Sequence, residues 1–402
     1  MIVWFRRLHP LQRVAFVMWF WLVVGVSARV AVSKPNAQTV VPIYLDAAQR
    51  WQRGEDLYAP KPPMDVYRNP PGIAAGFVLF TWMPERVAGL TWRWLSTAVF
   101  LTGLLAWVRH GLPRPLKPWE SGTLIALTVP FALPSLNNGQ TNLVIIGLLL
   151  HGVTAVARGA NSAGGWLAAA SYVKVYPAAV ALLVMLVSPK KLAPRFVVAC
   201  ALFAAAPFLF KSADYVAGQY RSFGDAATND DRTFAGLGRA PRDLYLVFRV
   251  WATPPTQQVY TAIKLTVAAG MAVLVLLVWR RTRDLRTVSP LALGLGCVWM
   301  TVLGPAVEAH TYTLVGPTAA AAVVFGIADR RWVTAALAAT GWALMMSPVV
   351  RDMFPNGGPF QAMGPQPVGG VLLLAVLVRE AIRKPAATSA TPRAAEPIKH
   401  AA

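Results

Sequence analysis

The chain has 402 residues, of which 56% are apolar and only 14% charged, and it carries a formal charge of +21 at pH 7. A soluble domain of this length has about a quarter of its residues charged, whereas here the apolar residues gather into runs of about 15 to 22, the length that crosses a ~30 Å hydrocarbon layer. The chain reads as an all-α polytopic membrane protein, and the positive charge, placed at the ends of apolar runs, orients helices and meets anionic lipid rather than nucleic acid.

The first run, Val14 to Val32, follows Arg6, Arg7 and Arg13 and lacks a small-residue cleavage site. It is expected to be a retained first helix with a cytoplasmic N-terminus. Further spans are expected at Leu90–Val108, Gly122–Leu136, Asn142–Ala157, Arg195–Phe210, Val259–Trp279, Pro290–Val307, Tyr312–Ala328, Trp332–Pro348 and Val368–Ile382. Short basic connections, SPKKLAPR, WRRTRDLR and ADRRW, mark the inner face. Cys200 and Cys297 both fall inside apolar runs, so no disulfide framework is expected.

Two segments decide the topology together. If Gly72–Met83 crosses the membrane, Gly164–Ser188 crosses once and the basic connection RHGLPRPLK falls outside. If Gly72–Met83 lies at the outer surface, Gly164–Ser188 forms two half-helices meeting near Lys174, and RHGLPRPLK falls inside. Short loops obey the charge rule best, which favours the second arrangement. Residues 1–384 are read as one integral-membrane domain with long outer loops at 34–71 and 211–258. The tail, 385–402, is Ala/Pro/Thr-rich and expected to be disordered and cytoplasmic.

Within the first outer loop, VPIYLDAAQRWQRGEDLY sets Tyr44, Ala47, Ala48 and Trp51 at helical spacing, an amphipathic helix suited to the membrane surface. Asp46 on it is either a proton acceptor for a hydroxyl near the interface or a partner of Arg50 at i+4. Gly54 is expected to cap this helix, with Asp56 in the turn as backbone partner or catalytic acid. In YRNPPG the prolines set an extended approach to the next segment, and Tyr67 and Arg68 beside them can hold a phosphate or a sugar.

SLNNGQTNL places Asn138, Gln140 and Asn142 at a helix junction, where amides either cap helix ends or bond sugar hydroxyls. SYVKVYP interrupts an apolar stretch with an amine that must pair or reach water. Lys174 is thus either a snorkelling or paired lysine or a ligand of a lipid phosphate, with Tyr176 and Pro177 shaping the break. GPAVEAHTYTLVGP adds Glu308, His310 and Tyr312 between two spans. No metal-ligand spacing and no nucleotide-binding or serine-nucleophile signature is visible, so no metal or cofactor is expected.

In their order, YLDAAQRWQRGEDLY, YRNPPG, NGQTNL, YVKVYP and EAHTYTLVGP resemble the bacterial polyprenol-phosphate-mannose-dependent mannosyltransferases of the GT-C superfamily, over about residues 46–317. The resemblance implies a bundle of about ten to thirteen transmembrane helices with juxtamembrane helices on the outer face. It implies transfer of a hexose, mannose above all, from a polyprenyl-phosphate donor to a glycolipid or glycan acceptor, outside the inner membrane of a bacterium. By the same resemblance Asp46 is the nearest candidate base, Lys174 the donor-phosphate ligand, Gln140 part of the polar pocket, and His310 with Tyr312 the late motif. That family usually carries its acidic residue a few positions before the tyrosine corresponding to Tyr44, where this chain has Val40 and Val41. A lipid or small-molecule transporter and a catalytically silent family member are the alternative readings.

Overall fold

A computed structural model describes residues 5, 7–33, 36, 37, 39–229, 236–238, 240–349 and 357–383. The expected tail, and parts of both long outer segments, lie outside these. Among the described residues there is no strand; the elements are helical. They are α1 (Pro10–Val32), α2 (Val41–Arg53), α3 (Pro71–Thr81), α4 (Glu85–His110), α5 (Pro118–Asn138), α6 (Asn142–Ala157), α7 (Ala163–Val173), α8 (Ala178–Met185) and α9 (Pro189–Ala205). The second half adds α10 (Ala213–Asn229), α11 (Leu244–Trp251), α12 (Gln257–Thr282), α13 (Leu285–Val302), a 3-10 turn (Ala309–Val315), α14 (Gly316–Ala328), α15 (Trp332–Met345), α16 (Gly357–Ala362) and α17 (Pro365–Ile382).

Six segments are both long and apolar enough to cross a membrane, and α3, α6 and α15 are shorter apolar helices. The long helices α4 and α5 do not join the six. Counting α4 and α5 with α6 and α15 brings the described bundle to ten, the lower end of the range that the resemblance implied. At the centre lies α6, whose Leu143, Ile145, Ile146, Leu149, Leu150 and Val153 are all fully buried. It approaches α4 closely, because a Cβ at Gly103 would strike the carbonyl of Gly147. Small residues at such a crossing let two apolar helices pack backbone to backbone.

The basic connections gather at one end of the bundle. Gln12 Nε2 donates to Ser121 Oγ at 3.0 Å, bringing the starts of α1 and α5 together. Arg114, from RHGLPRPLK, pairs with Asp329 of ADRRW at 3.4 Å. One cavity touches Pro113, Arg281, Arg331 and Arg383 alike. RHGLPRPLK therefore sits with the other basic connections, as the second topological arrangement requires.

The same arrangement accounts for the broken segment. Lys191 Nζ donates to the carbonyl of Gly159, so the chain before α7 and the chain after α8 meet at the same end. The pair α7 and α8 forms a re-entrant hairpin whose turn, Lys174 to Pro177, points to the opposite end. Eleven residues in α7 give a half-helix of about 16 Å at 1.5 Å per residue. Nor does α3 cross: Gly72 N donates to Tyr172 Oη at 3.2 Å at its start, and Thr81 bonds Gln52 of α2 at 3.4 Å at its end.

The amphipathic face of α2 is covered by protein rather than lipid. Tyr44, Ala47, Ala48 and Trp51 are all buried, in a cluster with Tyr67, Phe77, Trp92 and Val216. Gly54 caps the helix at φ +74°, as the spacing predicted.

Candidate active site

The end away from the basic connections is built from helix ends and junctions. At the α5–α6 junction, Gly139 adopts φ +72° and its N–H closes on Leu136 and Ser135. Its carbonyl accepts from Trp92 Nε1 at 2.8 Å. Arg93, 1% exposed, lays its guanidinium on the last carbonyls of α5, with Nε 3.0 Å from Leu136 O and Nη2 3.1 Å from Asn137 O, while Nη1 donates to Asn36 Oδ1 at 2.9 Å. Carbonyls of a last turn lack the full set of helix partners, so Leu136 O accepts from both Gly139 N and Arg93 and Asn137 O from both Arg29 Nη2 and Arg93, and a cation there also meets the negative end of the helix dipole. The result holds Gln140 out toward a cavity.

Asn142 does not reach that cavity. It is fully buried and donates to His310 O at 3.1 Å and Ser135 Oγ at 3.3 Å, while accepting from Tyr176 Oη at 3.3 Å. Ser135 also donates to His310 O at 2.9 Å. Asn138 Nδ2 faces His310 Nδ1 at 3.5 Å. The polar string at the junction thus positions the His310 backbone and ring.

Glu308 and His310 meet through Oε2 and Nε2 at 2.5 Å, and Gln140 Nε2 lies 2.8 Å from the same ring nitrogen and 3.3 Å from the same carboxylate oxygen. A carboxylate oxygen and the Gln140 amide nitrogen thus converge on Nε2 of the His310 ring, while the Asn138 amide faces Nδ1. Tyr312, 1% exposed, donates instead to Arg242 O at 2.8 Å, and Arg242 N donates to Val307 O at 2.7 Å. Tyr312 therefore ties the loop before α11 to the Glu308 segment.

The hairpin turn supplies the cation. Lys174 leaves α7 in an extended conformation, φ −148° and ψ 149°, and its Nζ lies 5.7 Å from the Tyr176 ring centre. Breaking a helix inside an apolar bundle strands carbonyls. Asn69 Nδ2 takes up that of Val173 at 2.9 Å, and Tyr58 Oη donates to Asn69 O at 2.8 Å. YRNPPG thus docks on the break and brings Arg68 beside it, where Arg68 pairs with Asp65 at 2.7 Å.

These side chains share a cavity of about 390 Å³, to which Asp65, Arg68, Gln140, Lys174, Tyr176 and Glu308 contribute. The rest of its wall is mostly apolar, with Val40, Ile43, Phe223, Trp299 and Met300 beside Asn69 and Thr311. A second cavity, of about 650 Å³, contains Arg242, His310 and Gln361, and Asp65, Ala306 and Glu308 line both. Glu308, with 35% of its side chain exposed, stands where the two spaces join.

Several expected residues lie elsewhere. Asp46 faces a separate groove, where it pairs with Arg50 Nε at 2.8 Å and with Lys61. The i+4 partnership read from spacing is the one found. Asp56 is exposed and accepts from Tyr58 N at 3.2 Å, a turn contact. Tyr67 is buried, its hydroxyl donating to Pro70 O at 3.2 Å and its ring packed on Tyr44 and Tyr58. Arg93 and Asn69 were passed over in the sequence. Arg93 carried a signal, since a charge inside the apolar run Leu90–Val108 invites the same question as Lys174.

In a comparison with protein families, the model of Glycosyltransferase family 87 fits residues 67–305, more than half of the chain. No curated protein and no solved structure matches. The matched stretch contains Arg68, Asn69, Arg93, Gln140 and Lys174, while Glu308 and His310 follow just beyond it.

Proposed function

The chain belongs to glycosyltransferase family 87, a membrane glycosyltransferase family, and from that premise we propose that it moves a hexose, mannose by preference, from a polyprenyl phosphate to a glycolipid or glycan acceptor. The single observation that carries this reading is the joint position of Glu308. The cavity on one side of it has cations and a long apolar wall, fit for a lipid monophosphate; the cavity on the other side is lined by Arg242, His310 and Gln361, fit for a hydroxyl-rich acceptor.

Glu308 is the base. As the acceptor oxygen attacks the anomeric carbon, its proton passes to the carboxylate, which His310 and the Gln140 amide orient. The bond from the anomeric carbon to the phosphate oxygen breaks on the opposite face, with inversion, and the polyprenyl phosphate leaves with the electron pair. Lys174 and Arg68 stabilise that charge as it grows. Val40 lines the same cavity, so the region where the resembling family carries its acid faces the reaction space with a hydrocarbon side chain, and Glu308 supplies the carboxylate from across the bundle. The positive-inside rule puts the basic end, with both described chain ends, in the cytoplasm of a bacterial cell and the site outside the inner membrane.

The test is transfer from labelled polyprenyl-phosphate hexose in membranes holding equal amounts of each variant. Glu308→Gln is expected to abolish transfer and Asp46→Asn to retain it. Full transfer by Glu308→Gln would overturn the assignment of the base. Absence of transfer by the unmodified protein would favour the catalytically silent reading that Val40 invites.

A further inference from the structure

The base and the phosphate ligand come from distant parts of the chain. Glu308 stands just before the 3-10 turn that leads into α14, and Lys174 stands in the turn between α7 and α8. In-line displacement needs the two held at a fixed separation, with the acceptor oxygen and the anomeric carbon aligned between them. One side chain touches both segments. Asn142 Oδ1 accepts from Tyr176 Oη at 3.3 Å, and Asn142 Nδ2 donates to His310 O at 3.1 Å.

A carbonyl can only accept, so the amide nitrogen must face His310 O, which leaves the amide oxygen for the Tyr176 hydroxyl. Asn142 is fully buried at the first position of α6, the helix that the Gly103–Gly147 approach locks against α4. Its side chain therefore reaches both segments from a fixed base. His310 O does not need the amide for its own satisfaction, because Ser135 Oγ, also fully buried, donates to it at 2.9 Å. What Asn142 adds is the link to Tyr176, whose hydroxyl has no other hydrogen-bond partner among the described residues. The Tyr176 ring centre lies 5.7 Å from Lys174 Nζ, and both side chains line the cavity that Glu308 borders.

We propose that Asn142 is a positioning residue: through Tyr176 on one side and the His310 carbonyl on the other, it sets the distance between the phosphate-binding turn and the base. The inference rests on the transferase reading and gives Asn142 no contact with substrate, since it lines neither cavity at Glu308. Misplacement of a catalytic group by about 1 Å costs about a hundredfold in rate, so a single amide that ties the two halves of the site can govern turnover without touching the reacting atoms.

The test is steady-state transfer from labelled polyprenyl-phosphate hexose by purified full-length protein, with thermal unfolding of every variant. Tyr176→Phe removes one oxygen atom and keeps the ring beside Lys174. Asn142→Leu removes the amide and leaves His310 O with Ser135. Each is expected to lower kcat about tenfold while KM for donor and acceptor changes less than about twofold. The double variant is expected to be no slower than Asn142→Leu alone, because the hydroxyl has already lost its partner. Should Asn142→Leu fail to fold, Asn142→Ser takes its place in the cycle. Multiplying effects in the double variant, unchanged kcat in either single variant, or a lower melting temperature with unchanged kcat of the folded protein would each overturn the proposal. None of these outcomes touches transfer by the unmodified protein; absence of that transfer would instead remove the transferase reading, and this inference with it.

Discussion

Glu308 Oε2 and His310 Nε2, two residues apart in sequence, meet at 2.5 Å on the ridge between two cavities. If the histidine orients the carboxylate, His310→Gln should lower kcat with little change in donor KM, whereas Glu308→Gln should cost the whole of a general base, about 10²–10⁴ in rate. Steady-state transfer with purified protein separates the two, and equal effects on kcat and KM in His310→Gln would contradict an orienting role.

Lys174 sits at the turn of the re-entrant hairpin, in the cavity with Arg68. Lys174→Ala should reduce kcat/KM for the donor by about tenfold to a hundredfold, the value of one hydrogen bond to a charged group. Lys174→Arg should recover part of the loss, since it keeps the charge while changing its geometry. The dependence of rate on donor concentration checks both.

Arg93 serves architecture. Replacing it with Leu removes the donor to Asn36 Oδ1, while the carbonyls of Leu136 and Asn137 lose one donor each and keep Gly139 N and Arg29 Nη2. A loss of about 2 kcal/mol in stability is expected, because one buried acceptor left open costs about 1–3 kcal/mol. Thermal unfolding in detergent reads it, and Arg93→Lys should fall between the two.

Gly139→Ala would force a side chain into φ +72° and against Val41. The conformation alone costs roughly 1–2 kcal/mol, and relief of the contact would move Gln140. Activity should fall further than the melting temperature suggests, which a parallel assay of transfer and unfolding would reveal.

Outside the spans, burial above all holds the Asp243 carboxyl higher than its ordinary value of 3.8, against the hydrogen bond from Tyr260 and the charge of Lys264, which lower it. The folded chain thus keeps a proton that the unfolded chain has lost. Its contribution to stability is present below the ordinary value and is lost as pH rises through the raised one. Asp243→Asn should flatten that decline in a melting series from about pH 3.5 to about pH 6.5.

Much of the architecture was legible in sequence because its signals are local. The apolar runs, the Gly54 cap and the break at Lys174 each follow from composition or from a residue whose backbone or charge admits few alternatives. Charge position also anticipated which end RHGLPRPLK joins, since its Arg114 pairs with Asp329. The carboxylates were harder. Asp46 and Glu308 look alike as single acidic residues near helix ends, and spacing cannot tell which faces a shared space.

The sequence by itself determined a helical membrane chain and the basic connections between its spans, because hydrophobic length and helix period act over a few turns. Only the tertiary structure decided that Asp46 is held by Arg50 and Lys61 in its own groove, while Glu308, Gln140, Lys174 and Arg68 converge on one cavity. These four residues are separated by up to 240 positions in the chain, from 68 to 308. Their meeting depends on the close crossing of α4 and α6, on Arg93 holding the end of α5, and on Asn69 closing the broken α7. Long-range packing of that kind leaves no periodicity for a sequence to display.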